Sequence, residues 1–101
     1  MKKNTLVRKK NDKWALFLYI AGKTQRAAAA ISNLKIICED RLKDNYRIEV
    51  IDLLRNPQLA RSEQIVAIPT LVRKSPLPKK SIIGDLSNTD KVLVVLDLIR
   101  N

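Results

Sequence analysis

The eight residues Trp14–Ala21 are all apolar, and this run constrains the chain more than any other feature. It is far shorter than the ~20 residues that a membrane-spanning helix needs. It is also too uniformly apolar for a strand with one wet face. A continuous apolar run with aromatics suits a strand buried on both faces, as in a parallel sheet with layers above and below. A chain of 101 residues has room for one such domain and little more.

The following segments supply the layers. Gly22-Lys23 ends the run, and Thr24 is placed to cap a helix. Ala27, Ala30, Ile31, Leu34, Ile37, Cys38 and Leu42 then recur at three- and four-residue spacing, one buried face of a helix of about 20 residues. Asp44-Asn45 makes a turn, and Tyr46–Leu54 reads as a second strand with Ile48 and Val50 alternating against Arg47 and Glu49. Strand–helix–strand implies a right-handed parallel crossover. Asn56-Pro57 breaks the chain, and Gln58–Ala67 suits a short helix. Ile68–Val72 is extended, because the residue before a proline avoids the helical region. Pro76-Leu77-Pro78 forces a stiff loop, Ser81–Ile83 is a short strand, and Gly84-Asp85 a turn.

The last segment carries a conflict. Ser87, with Asp90 three residues on, resembles a capping box, and Val92, Leu93, Leu96 and Ile99 form a helical stripe. Yet Val92–Leu96 is rich in β-branched residues, which favour strands. Periodicity does not decide so short an apolar run. Such local conflict marks a frustrated element.

Composition narrows the function. With one Cys and no His, an internal disulfide is impossible, a zinc site lacks ligands, and acid–base catalysis by histidine is excluded. No cofactor or metal is called for. The formal charge of +10 resolves into +5 on residues 1–13, read as a basic arm preceding a single domain at 14–101, +4 on residues 73–80, and +1 elsewhere. A basic nucleic-acid-binding module stays open as an alternative. Neither patch contains an aromatic residue on which bases would stack, which argues against it. Nothing targets a membrane, and the basic start lacks the pattern of a signal peptide. A reduced Cys38 fits the cytoplasm.

The element order is that of thioredoxin-like folds, with Ile68-Pro69-Thr70 where those folds usually place a cis-proline. The loop Ala21–Arg26 has no C-x-x-C pair, so a thioredoxin-like oxidoreductase is the weakest alternative. The motifs are more specific. Leu18-Tyr19-Ile20-Ala21-Gly22 resembles the first strand of the KaiB family of circadian-clock proteins. Val50-Ile51-Asp52, Asn56-Pro57-Gln58-Leu59-Ala60, Pro69-Thr70-Leu71 and Pro76-Leu77-Pro78 match the same family in the same order. So do Ile82–Ser87, Lys91-Val92-Leu93 and Leu96-Asp97-Leu98.

The resemblance implies a non-enzymatic regulator that binds a KaiC-like hexameric ATPase and modulates its phosphorylation cycle, in a clock or in stress adaptation. It implies a fold switch: a free homotetramer, a dimer of dimers, in the order βαββααβ, and a partner-bound thioredoxin-like monomer in the order βαβαββα. It marks Tyr19, Pro69, Pro78, Lys80, Gly84, Asp85, Val95 and Asp97 as partner-binding or switch residues. Ala29, Glu49 and Gln64 stand where clock proteins of the family typically carry basic residues for KaiC contact, and Val95 where they typically carry Gly. Capture of a KaiA-like protein is therefore implied less strongly than KaiC contact. Val at position 95 favours a strand more than a helix and biases the chain toward the tetramer.

Overall fold

The computed structural model describes residues 14–98. The elements are β1 (Trp14–Ile20), α1 (Gln25–Arg41), β2 (Tyr46–Asp52), α2 (Gln58–Ser62), β3 (Thr70–Ser75), β4 (Lys80–Ile83) and α3 (Thr89–Val95). The expected basic arm at 1–13, and Ile99 of the helical stripe, lie outside the described residues.

The apolar run forms the interior strand it demanded. The sheet order is β2-β1-β3-β4. β1 runs parallel to β2, from Trp14 opposite Tyr46 to Ile20 opposite Asp52. It runs antiparallel to β3, with Leu18 opposite Leu71 and a register shift between Ala15 and Leu16. β4 continues the sheet antiparallel to β3. Successive side chains of β1 therefore enter two different cores.

Leu16, Leu18 and Ile20 pack with Ala27, Ala30, Leu34, Ile37 and Cys38 of α1, and with Val92, Leu93 and Leu96 from α3 and its end. Tyr19 joins Val72 and Leu53 on the other face, where Phe17, Ile51, Leu59, Ala60 and Ile65 complete a smaller cluster against α2. A strand buried on one face only would have left this second cluster without its centre.

Local chemistry sets the helix ends. The Thr24 hydroxyl accepts from the Ala27 N–H at 3.0 Å, as its capping position required. The cap of α3 lies one residue beyond the expected Ser87: the Asn88 side chain accepts from the Lys91 N–H at 3.1 Å. Ser87 instead donates its N–H to the Asp85 carboxylate at 3.0 Å, closing a turn. Both Asx residues outcompete the serine because their side-chain oxygens reach a backbone N–H two or three residues on. α2 stops at Ser62, short of the expected span to Ala67, because Gln64 takes a left-handed conformation (φ 58°). The second strand ends at Asp52 rather than Leu54, and Val50 is exposed on this edge strand.

The described order is βαβαββα, the one expected of a partner-bound form, and the frustrated last segment is helical through Val95. Ile68–Pro69, Ser75–Pro76 and Leu77–Pro78 are cis.

Gly22 turns the chain from β1 toward α1 at φ 77°. A Cβ there would stand 3.1 Å from Leu54 Cδ1, a movable side-chain end, so the backbone conformation is the larger obstacle. A left-handed residue with a Cβ costs roughly 1–2 kcal/mol. Gly22→Ala is expected to lower stability by about that much, read as an earlier urea midpoint with an unchanged far-ultraviolet spectrum. An unchanged midpoint would contradict the left-handed turn.

Candidate functional site

The site grows from one residue that the motif reading passed over. Arg73 lies on β3 in phase with Leu71, so it points into the layer of α1 and α3 and is only 2% exposed. A buried guanidinium must find acceptors. Its Nη2 donates to the Pro78 carbonyl at 2.7 Å, and its Nη1 to the Leu96 carbonyl at 2.6 Å. Nη1 also lies 3.6 Å from a carboxylate oxygen of Asp97. The guanidinium carbon sits 5.3 Å from the Trp14 ring centroid. Arg73 thus holds the end of the proline loop and the end of α3 together. Leu96 closes α3, and its carbonyl is among those a helix leaves unsatisfied.

Three of the eight expected residues gather around this arginine, and a fourth, Val95, immediately precedes the Leu96 it binds. Pro78 supplies an acceptor, Asp97 a charge, Lys80 is Arg73's partner in the β3–β4 register, and Val95 is the last residue of α3. Asp97 is itself exposed and adopts φ 59° directly after the helix. It is neither on a solvated helix face nor buried: it ends the helix while pairing with a buried cation.

Three others form a neighbouring corner. The Gly84 N–H donates to the Pro69 carbonyl at 2.8 Å. The Asp85 carbonyl accepts from Asn33 of α1 at 2.9 Å. Hydrogen bonds from Ser87, side chain and backbone, hold the Asp85 carboxyl below the usual carboxylate range. Tyr19 stands apart, on the opposite face. Burial raises its pKa, against the opposing pull of Lys74.

The basic stretch 73–80 does not act as one patch. Arg73 is buried, and Lys74 points to the α2 face, where it pairs with Glu63 at 3.1 Å and stands 4.4 Å from the Phe17 centroid. Burial depresses the Lys74 pKa, but its bonds to Glu63 and Tyr19 outweigh this and raise it. Alternation along a strand separates neighbouring charges by face. Lys79 and Lys80 remain, with no ion pair among the described residues. The charge of +4 on residues 73–80 is therefore divided, with two lysines left unpaired among the described residues.

Cys38 is fully buried in the larger core, and burial pushes its thiol up to about 12. It does not supply a thiolate near neutral pH. Among the described residues no cluster of three or more His, Cys, Asp or Glu forms a metal site, and no helix is long and apolar enough to cross a membrane.

The KaiB domain model matches residues 17–98, most of the chain. The chain belongs to the KaiB family. The circadian clock protein KaiB3 of Synechocystis sp. is 48% identical over 84 residues, which cover 83% of this chain and 82% of that one. The N-terminal domain of SasA from Synechococcus elongatus superposes with a TM-score of 0.70 at 19% identity, covering 89% of each chain. The germline thioredoxin Deadhead of Drosophila melanogaster superposes at 0.67 with 16% identity, covering 88% of this chain and 84% of that one. These two likenesses concern the fold, which is thioredoxin-like.

In this KaiB-family chain the three positions of departure differ in setting. Ala29 is half-buried on α1, and Gln64 is exposed just beyond α2. Glu49 is ion-paired with Arg47, which lies over the Phe17 ring.

Asp52 anchors the rim of the sheet. Its carboxylate accepts from the N–H of Gly22 at 3.0 Å and of Leu54 at 2.9 Å, and these bonds hold its pKa below the usual value. A depressed folded-state pKa contributes stability above the unfolded value of about 3.9 that is lost as pH falls through the folded one. The Asp52→Asn variant is expected to show a shallower loss of stability below about pH 4 than the parent, measured by urea denaturation at stepped pH. Parallel acid limbs would remove Asp52 from the linkage.

Proposed function

We propose that this KaiB-family chain is a non-enzymatic regulator that docks on a KaiC-like hexameric ATPase through the Lys79–Lys80 corner and modulates its phosphorylation cycle. The observation that carries this reading is the corner itself. Lys79 is exposed and Lys80 half-buried, neither is ion-paired among the described residues, and both follow a proline loop whose end is fixed by Arg73. Two ammonium groups on a loop end held in place suit an acidic protein surface and speed encounter with it.

In this reading the described arrangement is the binding form. The free protein is a homotetramer in the βαββααβ order, in which the β-branched segment ending at Val95 is a strand. A partner shifts that equilibrium only by its preference for one arrangement, and its apparent affinity falls with the fraction competent to bind. Rebuilding half of a domain makes binding slow, so the protein acts as a delay in a clock or a stress response. The two lysines carry the interaction that basic residues at 29, 49 and 64 would otherwise share.

The test is capture of this protein by the host's hexameric ATPase in its ATP and ADP states. Changing both lysines, Lys79→Glu with Lys80→Glu, is expected to weaken capture tenfold or more. Raising salt is expected to slow association of the parent and to have less effect on the variant. Sedimentation is expected to show a tetramer alone and one protomer per ATPase subunit in the complex. Undiminished capture by the double variant, or a monomer at all concentrations, would overturn the reading.

A further inference from the structure

Arg73 touches two segments that the proposed function uses separately. One is the proline loop, whose last residue before the two lysines is Pro78. The other is α3, whose closing residue is Leu96. The two η nitrogens of a guanidinium lie in one rigid plane. Each donates to one of these carbonyls, at 2.7 and 2.6 Å, so the loop end and the helix end are fixed relative to each other through a single side chain. Among the described residues the Nε has no hydrogen-bond partner, so the position of the group is set from its outer end, by the two carbonyls, Asp97 and the Trp14 ring. Lys80 is also the β4 residue in register with Arg73, so the same pair of strands carries both the docking corner and the arginine.

We propose that Arg73 is a positioning residue that couples the docking corner to α3: ordering the corner at Lys79 and Lys80 strengthens the docked state of 89–98, helical through Val95, and docking of α3 orders the corner in return. The proposal rests on the reading of that corner as the partner surface, and it supplies the physical link by which a partner that touches only the loop selects the fold of the last segment. Such coupling is reciprocal by thermodynamic necessity. The lost bonds would be hard to replace, since the site is buried and the Leu96 carbonyl belongs to a closed helix end.

The test is amide hydrogen exchange on the full chain in its complex with the hexameric ATPase, the state in which the described arrangement is populated, comparing the parent with Arg73→Met and Arg73→Lys. With Arg73→Met, amides in 76–81 and in 89–98 are expected to exchange tenfold or more faster together, while those of β1 and the middle of α1 keep their parent rates. Lysine keeps the charge but reaches one acceptor at a time, so Arg73→Lys is expected to slow one of the two segments and leave the other fast. Equal acceleration of β1 and α1 with α3 would make Arg73 a merely structural residue. Exchange of α3 unchanged in a folded Arg73→Met protein would overturn the coupling. If Arg73→Met does not fold, Arg73→Lys decides: parent rates in both segments overturn the proposal. Failure of the docking reading shows differently, as undiminished ATPase capture by the Lys79→Glu, Lys80→Glu protein with the exchange coupling intact.

Discussion

A guanidinium taken out of water has to be answered by acceptors, and in this chain the answer comes from main-chain carbonyls. Removing a cation's partners inside a protein costs several kcal/mol, on the order of 3–5 for a broken buried pair. Arg73 escapes that cost by binding the carbonyls of Pro78 and Leu96, with Asp97 near enough to offset part of its charge. One of those carbonyls belongs to the loop between β3 and β4, the other to the end of α3. The arginine therefore joins what the sheet alone does not join. The sheet holds β1 to β4, and apolar contact holds α3 against it, but the angle at which the last segment leaves α3 is set where Leu96, Asp97 and Arg73 meet.

How much of this was legible beforehand follows from the range of the signals. The run Trp14–Ala21 named an interior strand, because two-sided burial leaves a mark in every residue of the strand. The stripe from Ala27 to Leu42 named α1 because burial of one helical face recurs every three or four residues, and Thr24 named its start. Motif order named the family, and residues 17–98 match it. What depended on competition between neighbours was harder. Ser87 and Asn88 both suit a cap, and the choice turned on Asp85 claiming the Ser87 N–H.

Arg73 was the costly omission. Along the chain it forms one basic patch with Lys74, Lys79 and Lys80; across the strand it does not. The alternation was visible: Leu71 and Arg73 share a phase, Val72 and Lys74 the other. An arginine in phase with the buried leucine of a strand asks for carbonyls, and the proline-rich loop and a helix end are where free carbonyls are found. Tyr19, by contrast, is marked by the family resemblance as a partner-binding or switch residue, and it is buried in the α2 cluster, on the opposite face of the sheet from Arg73.

The last segment shows why one sequence can support a helix without being committed to it. Val92, Val94 and Val95 gain little from helix propensity, and a helix of seven residues is too short to be stable by itself. Its stability has to come from outside: the Asn88 cap at one end, the burial of Val92, Leu93 and Leu96 along one side, and the Arg73 bond at the other end. Each of these is a tertiary or capping interaction, and none is written into the propensity of the residues themselves. An element held in this way is sensitive to whatever perturbs its anchors. One anchor, Arg73, is shared with the loop that carries Lys79 and Lys80, so a contact made at that loop reaches the helix through one side chain.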